Sequence, residues 1–328
     1  MGAGLVTLGL PWGLASCLCG VAVGCTPGPS EMDYCPLSRQ GVVNGSGAGV
    51  STTSAMIPVP AGLSWMGCDS GGEWPVNEPL LLVWVDTFDI DRFEASVGEY
   101  RACVAAGECS PALPERSPDT SECAICEDDS EMLPMNCISW SNARTYCKWA
   151  GKRLCTAAEW EKAVRGICNP ENDVDCCLAL QGFPWGNALP DCGMANIGSG
   201  ADGEDCERVH AVRPGSFHKD VSTFGAYDMV GNLSEWIDES CHENIFAKMP
   251  GVACEAVLPI SQFAGAGIAQ CASMIDSVCK APTRPTAGIC HGARGGNYGS
   301  HASDTFAYSA SCYCDLEVYK TVGVRCCK

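Results

Sequence analysis

Tyr146-Cys147-Lys148-Trp149-Ala150-Gly151-Lys152-Arg153-Leu154, followed by Thr156 and Glu159-Trp160-Glu161-Lys162-Ala163, decides how this chain folds. The spacing predicts a helix over residues 140–150, with Trp140, Ala143, Cys147 and Ala150 on one face and Gly151 as its stop. A second helix starts at Thr156, where Thr156 and Glu159 form a Thr-x-x-Glu capping box, and ends near Gly166. Upstream, Ser96 and Glu99 repeat the box and Gly107 supplies a stop, so a helix is expected there too. Residues 80–85 (Leu-Leu-Leu-Val-Trp-Val) form an apolar run of strand length. Elsewhere the chain is rich in Gly, Pro, Asp and Asn with short apolar pieces. The expected class is an α+β domain with little regular secondary structure and many disulfides.

Composition narrows the function. The 328 residues carry 20 Lys and Arg against 39 Asp and Glu, a net charge of −19. Such a surface repels phosphate, which argues against nucleic acid and anionic membranes as partners and favours divalent cations. The 26 cysteines point to an oxidising compartment and to disulfides. Zinc or iron–sulfur binding has weaker support, because Cys123-x-x-Cys126, Cys312-x-Cys314 and five scattered His do not form paired chelating motifs. Residues 5–24 are apolar or small, and no charged residue precedes Glu31, as in a secretory signal segment. Ala22-Val23-Gly24-Cys25 resembles a lipoprotein cleavage box that would place a lipid on Cys25, and Leu14-Ala15-Ser16-Cys17 is a second match. The expected location is therefore outside the cytoplasm, either secreted or lipid-anchored in the cell envelope, with the anchor as the sole membrane contact. Residues 1–25 read as the signal, residues 26–54 as a Gly/Ser/Thr/Pro-rich linker, and residues 55–328 as the folded part.

Several segments of that folded part stand in a recognisable order. They are Pro60-Ala61-Gly62, Ile90-Asp91-Arg92-Phe93-Glu94, Asn136-Cys137-Ile138-Ser139-Trp140, the helical stretch quoted above, Pro184-Trp185-Gly186-Asn187, Tyr227-Asp228-Met229-Val230-Gly231-Asn232, Arg294-Gly295-Gly296 and Gly323-Val324-Arg325-Cys326. In these the chain resembles the formylglycine-generating enzyme, or sulfatase-modifying factor, family over residues 56–328. The resemblance implies a compact domain related to C-type lectins. It also implies an oxidase that converts a substrate cysteine to formylglycine with copper on two cysteine thiolates. Here Ser300 and Thr305 occupy those two positions, with His301 beside the first. Hydroxyls are poor ligands for Cu(I), so the family reaction is expected to be absent. A Ser300-His301-Asp304 triad is not expected, because sequence neighbours do not face one another and no Gly-x-Ser-x-Gly turn is present. Where the family often has Trp before Glu, this chain has Ser234 before Glu235, which removes a bulky wall from the pocket region.

The resemblance also implies two calcium loops. The first carries the Asn196 side chain, the Ile197 carbonyl, the Asp205 carboxylate and the Glu207 carbonyl. The second carries Asp228, the Gly231 and Leu233 carbonyls and Glu235, and keeps every ligand type. Cys192 and Cys206 flank the first loop and are placed to staple it, and Cys103 with Cys109 would bracket the end of the first helix. A Cys123–Cys126 bridge is a further, strained option. A Cys-rich insert at about 238–290 carries Cys241, Cys254, Cys271, Cys279 and Cys290. The function expected is a calcium-stabilised binding module for a peptide or glycan. An enzyme of altered oxidative chemistry and a disulfide-braced structural envelope protein are the alternatives.

Overall fold

A computed structural model describes residues 55–67, 81–111, 122–127, 129–168, 181–240, 290–314 and 318–328. The signal segment with Cys17 and Cys25, the linker, and the insert between Ser240 and Cys290 lie outside the described residues.

The three expected helices form with their caps. In α1 (Val97–Ala105) Ser96 Oγ accepts from the Glu99 amide, and the Glu99 carboxylate accepts in return from the Ser96 amide. In α3 (Ala157–Arg165) Thr156 and Glu159 make the same reciprocal pair. Between them, α2 (Trp140–Trp149) starts at Ser139, whose side chain accepts from the Asn142 amide. Gly107 and Gly151 follow their helices at φ +78° and +73°, a conformation that costs a residue with a Cβ.

Among the described residues ten short strands make three small sheets. The first has the order β1 (Met56–Val59), β4 (Phe88–Asp91), β10 (Cys326–Cys327), β5 (Arg153–Leu154). The second pairs β2 (Gly62–Met66) with β3 (Leu81–Val85), the strand expected from the apolar run. The third has the order β8 (Ala310–Cys314), β7 (Cys290–Arg294), β6 (Ser234–Ser240), β9 (Val322–Gly323). Its pairs are antiparallel except β6 with β9. The insert is thus narrower than the sequence suggests, since residues 238–240 and 290 belong to β6 and β7. Among the described residues no helix is long and apolar enough to cross a membrane.

Disulfides brace this sparse framework. Successive residues of a strand point to opposite faces. Cys326 accordingly bonds Cys147 of α2, and Cys327 bonds Cys155 ahead of α3, so two residues of β10 anchor two helical elements. Cys103–Cys109 and Cys192–Cys206 form as expected. Cys123 does not bond Cys126. It bonds Cys137, whose Cα lies 5.6 Å away across a 14-residue separation, a span that suits disulfide geometry. Cys126, Cys168 and Cys312 are disulfide-bonded as well.

One apolar cluster joins α1 and α2 through Val97, Tyr100, Ala143, Tyr146 and Cys147 to Trp236. A second joins the inner face of α3, through Trp160, Ala163 and Val164, to Phe88 and Ile90 of β4. Helix α3 is buried all round, so its charges need partners. Lys162 Nζ donates to the Gly62 and Val85 carbonyls, and burial lowers its pKa to about 8. The buried Glu161 faces Arg165 at 3.3 Å and Arg294 at 3.4 Å.

Candidate functional site

The Arg294-Gly295-Gly296 turn leaves the end of β7 and delivers residues 297–304 onto the surface. Ser300 lines a cavity of about 460 Å³, a size that suits a small ligand or part of a larger one. Its walls include Ser234, Asn297, Ser300, Ser303, Asp304, Phe306, Tyr308, Ser309, Ser311 and Tyr313. Ser234, where the resemblance implies a Trp, is part of this lining. The walls are rich in hydroxyls, and among the described residues Asp304 is the one ionisable acid in the lining.

The two family copper positions part company. Ser300 is half-buried at the cavity, and its Oγ accepts from the Asn297 amide at 3.0 Å. Thr305 is 1% exposed and is not part of the lining. Its hydroxyl donates to the Ala302 carbonyl at 2.9 Å, and its methyl fills the space a Cβ on Gly296 would need. These two oxygens serve main-chain groups, and the residues present do not fit a copper centre. His301 caps a single 3-10 turn, its Nδ1 accepting from the Ser303 amide at 3.2 Å and lying 2.9 Å from Ser303 Oγ. The imidazole therefore closes a local turn with Ser303 and makes no triad with Ser300.

Phe306 and Tyr308 of the lining belong to a longer aromatic stack. Trp185 lies parallel to Phe183, Phe183 packs on Phe306 at 4.8 Å, and Phe306 stacks on Tyr308 at 4.9 Å. The Arg165 guanidinium sits 5.4 Å from the Tyr308 ring centre. Phe306 and Tyr308 thus spend their ring faces on one another and on these neighbours.

Beside the cavity lie both candidate calcium loops. In the first, Asn196 is 1% exposed, and its amide Nδ2 donates to the His210 carbonyl and to Asn232 Oδ1. These bonds orient the amide, yet its Oδ1 has no hydrogen-bond partner. A buried oxygen without a donor is costly, and a cation would relieve it. Asp205 is exposed, with Oδ1 accepting from the Glu207 amide, and Glu207 takes φ +53°. The Asn196 side chain, the Ile197 carbonyl, the Asp205 carboxylate and the Glu207 carbonyl would hold such an ion, and Asn196 Oδ1 is the oxygen left open for it. Among the described residues no three His, Cys, Asp or Glu side chains converge as metal ligands, so such a site would rely on amide and carbonyl oxygens.

The second loop is more fully satisfied by protein. Asp220 accepts from the Met229, Val230 and Gly231 amides and so folds the turn around its own carboxylate. Asp228 and Asn232 take φ +58° and +71°, which Asp and Asn tolerate better than most residues. Asp228 Oδ2 accepts from the Gly215 amide. Glu94 accepts from Asn232 Nδ2 and the Leu233 amide. Glu235 has both oxygens engaged, by Arg325 at 2.7–3.0 Å and by Trp160 Nε1 at 2.6 Å. Arg325 is wholly buried and also donates to the Asp91 and Tyr227 carbonyls. The Glu235 carboxylate thus already has a cation, and the second loop fits calcium less well than its ligand types suggest.

Burial dominates the electrostatics here. It raises Asp228 to about 6, and, with Asp228 adding repulsion, Asp220 to about 8. Glu94 is raised well above the usual carboxylate range by burial and by Asp228 and Glu235. Glu94, Asp220 and Arg325 escaped the sequence reading as site residues. Glu94 and Arg325 lay within its quoted motifs, but only packing shows that they converge on Glu235 and Leu233.

Three small sheets, three capped helices, cross-bracing disulfides and a loop-built pocket define a formylglycine-generating-enzyme-like α+β domain. The chain belongs to that family: the family model described as "Sulfatase-modifying factor enzyme 1-like domain" matches residues 44–328. It is 30% identical to the Formylglycine-generating enzyme of Bos taurus over 272 residues, covering 65% of this chain and 67% of that protein. It is 38% identical over 107 residues to the Inactive C-alpha-formylglycine-generating enzyme 2 of the same species, which covers 32% of each. Among solved structures, PvdO from Pseudomonas aeruginosa superposes with a TM-score of 0.56 at 20% identity, covering 84% of this chain and 95% of that one.

Proposed function

We propose that this chain is an exported member of the family that lacks the thiolate–copper oxidase and works as a binding module for a peptide or glycan. The observation that carries this is the fate of the two copper positions. Ser300 opens onto a hydroxyl-lined cavity while Thr305 is turned into the core, so the pocket is kept without soft ligands. Serine hydroxyls and the Asn297 amide can both donate and accept, which suits neutral polar groups such as peptide amides or sugar hydroxyls. Similarity to a relative named as inactive supports the loss of the reaction.

Two measurements on the oxidised chain test this reading. A peptide and glycan array should give a ligand whose binding is lost in Ser311→Trp, which fills the cavity from an exposed strand position. Incubation with Cu(I) and a cysteine-containing peptide should leave the peptide mass unchanged. Formylglycine product would refute the loss of the oxidase, and an empty array would refute the binding role. Iron retained after dialysis would favour the enzyme of altered chemistry instead.

A further inference from the structure

The first calcium loop and the Ser300 segment of the cavity lining share a main-chain seam. The amides of Gly198 and Ser199 both donate to the Ser300 carbonyl, at 2.9 and 3.3 Å, and the Ala302 amide donates back to the Ser199 carbonyl at 2.9 Å. Gly198 sits so close to Gly299 that an added Cβ would lie 2.9 Å from its carbonyl, so the two backbones are in direct contact. Ser300, at the centre of the seam, lines the cavity.

The other side of the loop is closed on itself. Cys192 and Cys206 are bonded across 14 residues, the Cys206 amide donates to the Gly198 carbonyl, and Ser199 bridges Asp205. Asn196, two residues before Gly198, holds the buried Oδ1 that lacks a donor, and Asp205 is next to the bonded Cys206. Anything that orders Asn196 and Asp205 therefore orders Gly198 and Ser199, and through them Ser300.

We infer that the stapled loop is a regulatory brace for the pocket: a calcium ion on Asn196 and Asp205, assisted by the Cys192–Cys206 disulfide, sets the order of residues 299–302. The pocket's ligand affinity then depends on calcium and on this one disulfide being intact. The affinity consequence rests on the binding role proposed above, but the coupling itself does not. With a single carboxylate in the ligand set, the ion should bind in the 0.1–1 mM range typical of extracellular modules.

Hydrogen exchange read by mass spectrometry on the full oxidised chain, titrated with calcium chloride and with magnesium chloride as control, tests the coupling. Calcium should slow exchange about tenfold or more in peptides covering residues 198–206 and 299–304, and leave α1 unchanged. Asp205→Asn, at an exposed position, should raise the calcium needed about tenfold. The double variant Cys192→Ser/Cys206→Ser should do the same, and the control pair Cys103→Ser/Cys109→Ser should not. Calcium that protects residues 198–206 but not 299–304 would overturn the coupling. So would absence of any calcium effect up to 10 mM, or an Asp205→Asn titration like that of the parent chain. If the cysteine variant fails to fold, as judged by near-ultraviolet circular dichroism, the Asp205→Asn titration decides. An empty ligand array alongside calcium-protected 299–304 would sink the binding role and leave the brace standing.

Discussion

Replacing Arg325 with Met removes the cation of a fully buried charge cluster while keeping most of the side chain's volume. The guanidinium is wholly buried, bonds both oxygens of Glu235 and donates to the Asp91 and Tyr227 carbonyls. Without it, Glu235 keeps the Trp160 indole as a donor but faces Glu94 and Asp228 with no opposing charge. Breaking a buried pair in this way costs roughly 3–5 kcal/mol. The two carbonyls add roughly 1 kcal/mol each where they stay dry, and proton uptake by the carboxylates offsets part of the total. A net loss of about 4 kcal/mol is expected, a large share of the roughly 5–15 kcal/mol typical of a folded domain. Urea unfolding of the oxidised chain at pH 7.5, followed by tryptophan fluorescence, measures it. The double variant Glu235→Gln/Arg325→Met should be more stable than Arg325→Met alone, because it removes the stranded charge. A loss below about 1 kcal/mol for Arg325→Met, or a double variant no better than the single, would show that Arg325 is not the counter-ion of Glu235.

Other outcomes follow from the same geometry. Stability measured in chelator should fall as pH rises from about 4 to 8. Burial raises Asp228 to about 6 and Asp220 to about 8, so the folded state binds more protons than the unfolded state across that window. Each unit of such a shift is worth roughly 1.4 kcal/mol, and a flat or rising profile by urea midpoint would contradict it. Replacing Cys147 and Cys326 with Ser opens a 179-residue separation, for which chain entropy assigns about 5 kcal/mol, less because the Cys155–Cys327 bridge closes nearly the same loop. A loss of 2–4 kcal/mol in calorimetry is the expected result. Opening Cys103–Cys109, which spans six residues, should cost about 2 kcal/mol. Restoring Ser300→Cys alone should not give a Cu(I) site by bicinchoninate competition, because Thr305 faces the core; tight 1:1 copper would undo that inference.

The amino-acid sequence by itself determined the features that depend on near neighbours. The capping boxes at Ser96 and Thr156, the stops at Gly107 and Gly151, and the Cys103–Cys109 and Cys192–Cys206 bridges lie within short spans, where chain connectivity limits the choices. Ordered motifs were enough to place the family and to show oxygen where thiolates would stand. Tertiary structure alone decided the long-range matters. Cys123 had several possible partners, and packing chose Cys137. Ser300 and Thr305 are five residues apart and alike in chemistry, yet one opens to the cavity and the other bonds Ala302, because residues 302–304 turn the chain between them. The two calcium loops show the same division. The second keeps the better set of ligand types, but an arginine 90 residues beyond Glu235 folds back to occupy that carboxylate, while the orphaned oxygen lies in the first. Ligand type is a property of residues one at a time, whereas a free lone pair exists only after every donor in the fold has found its acceptor.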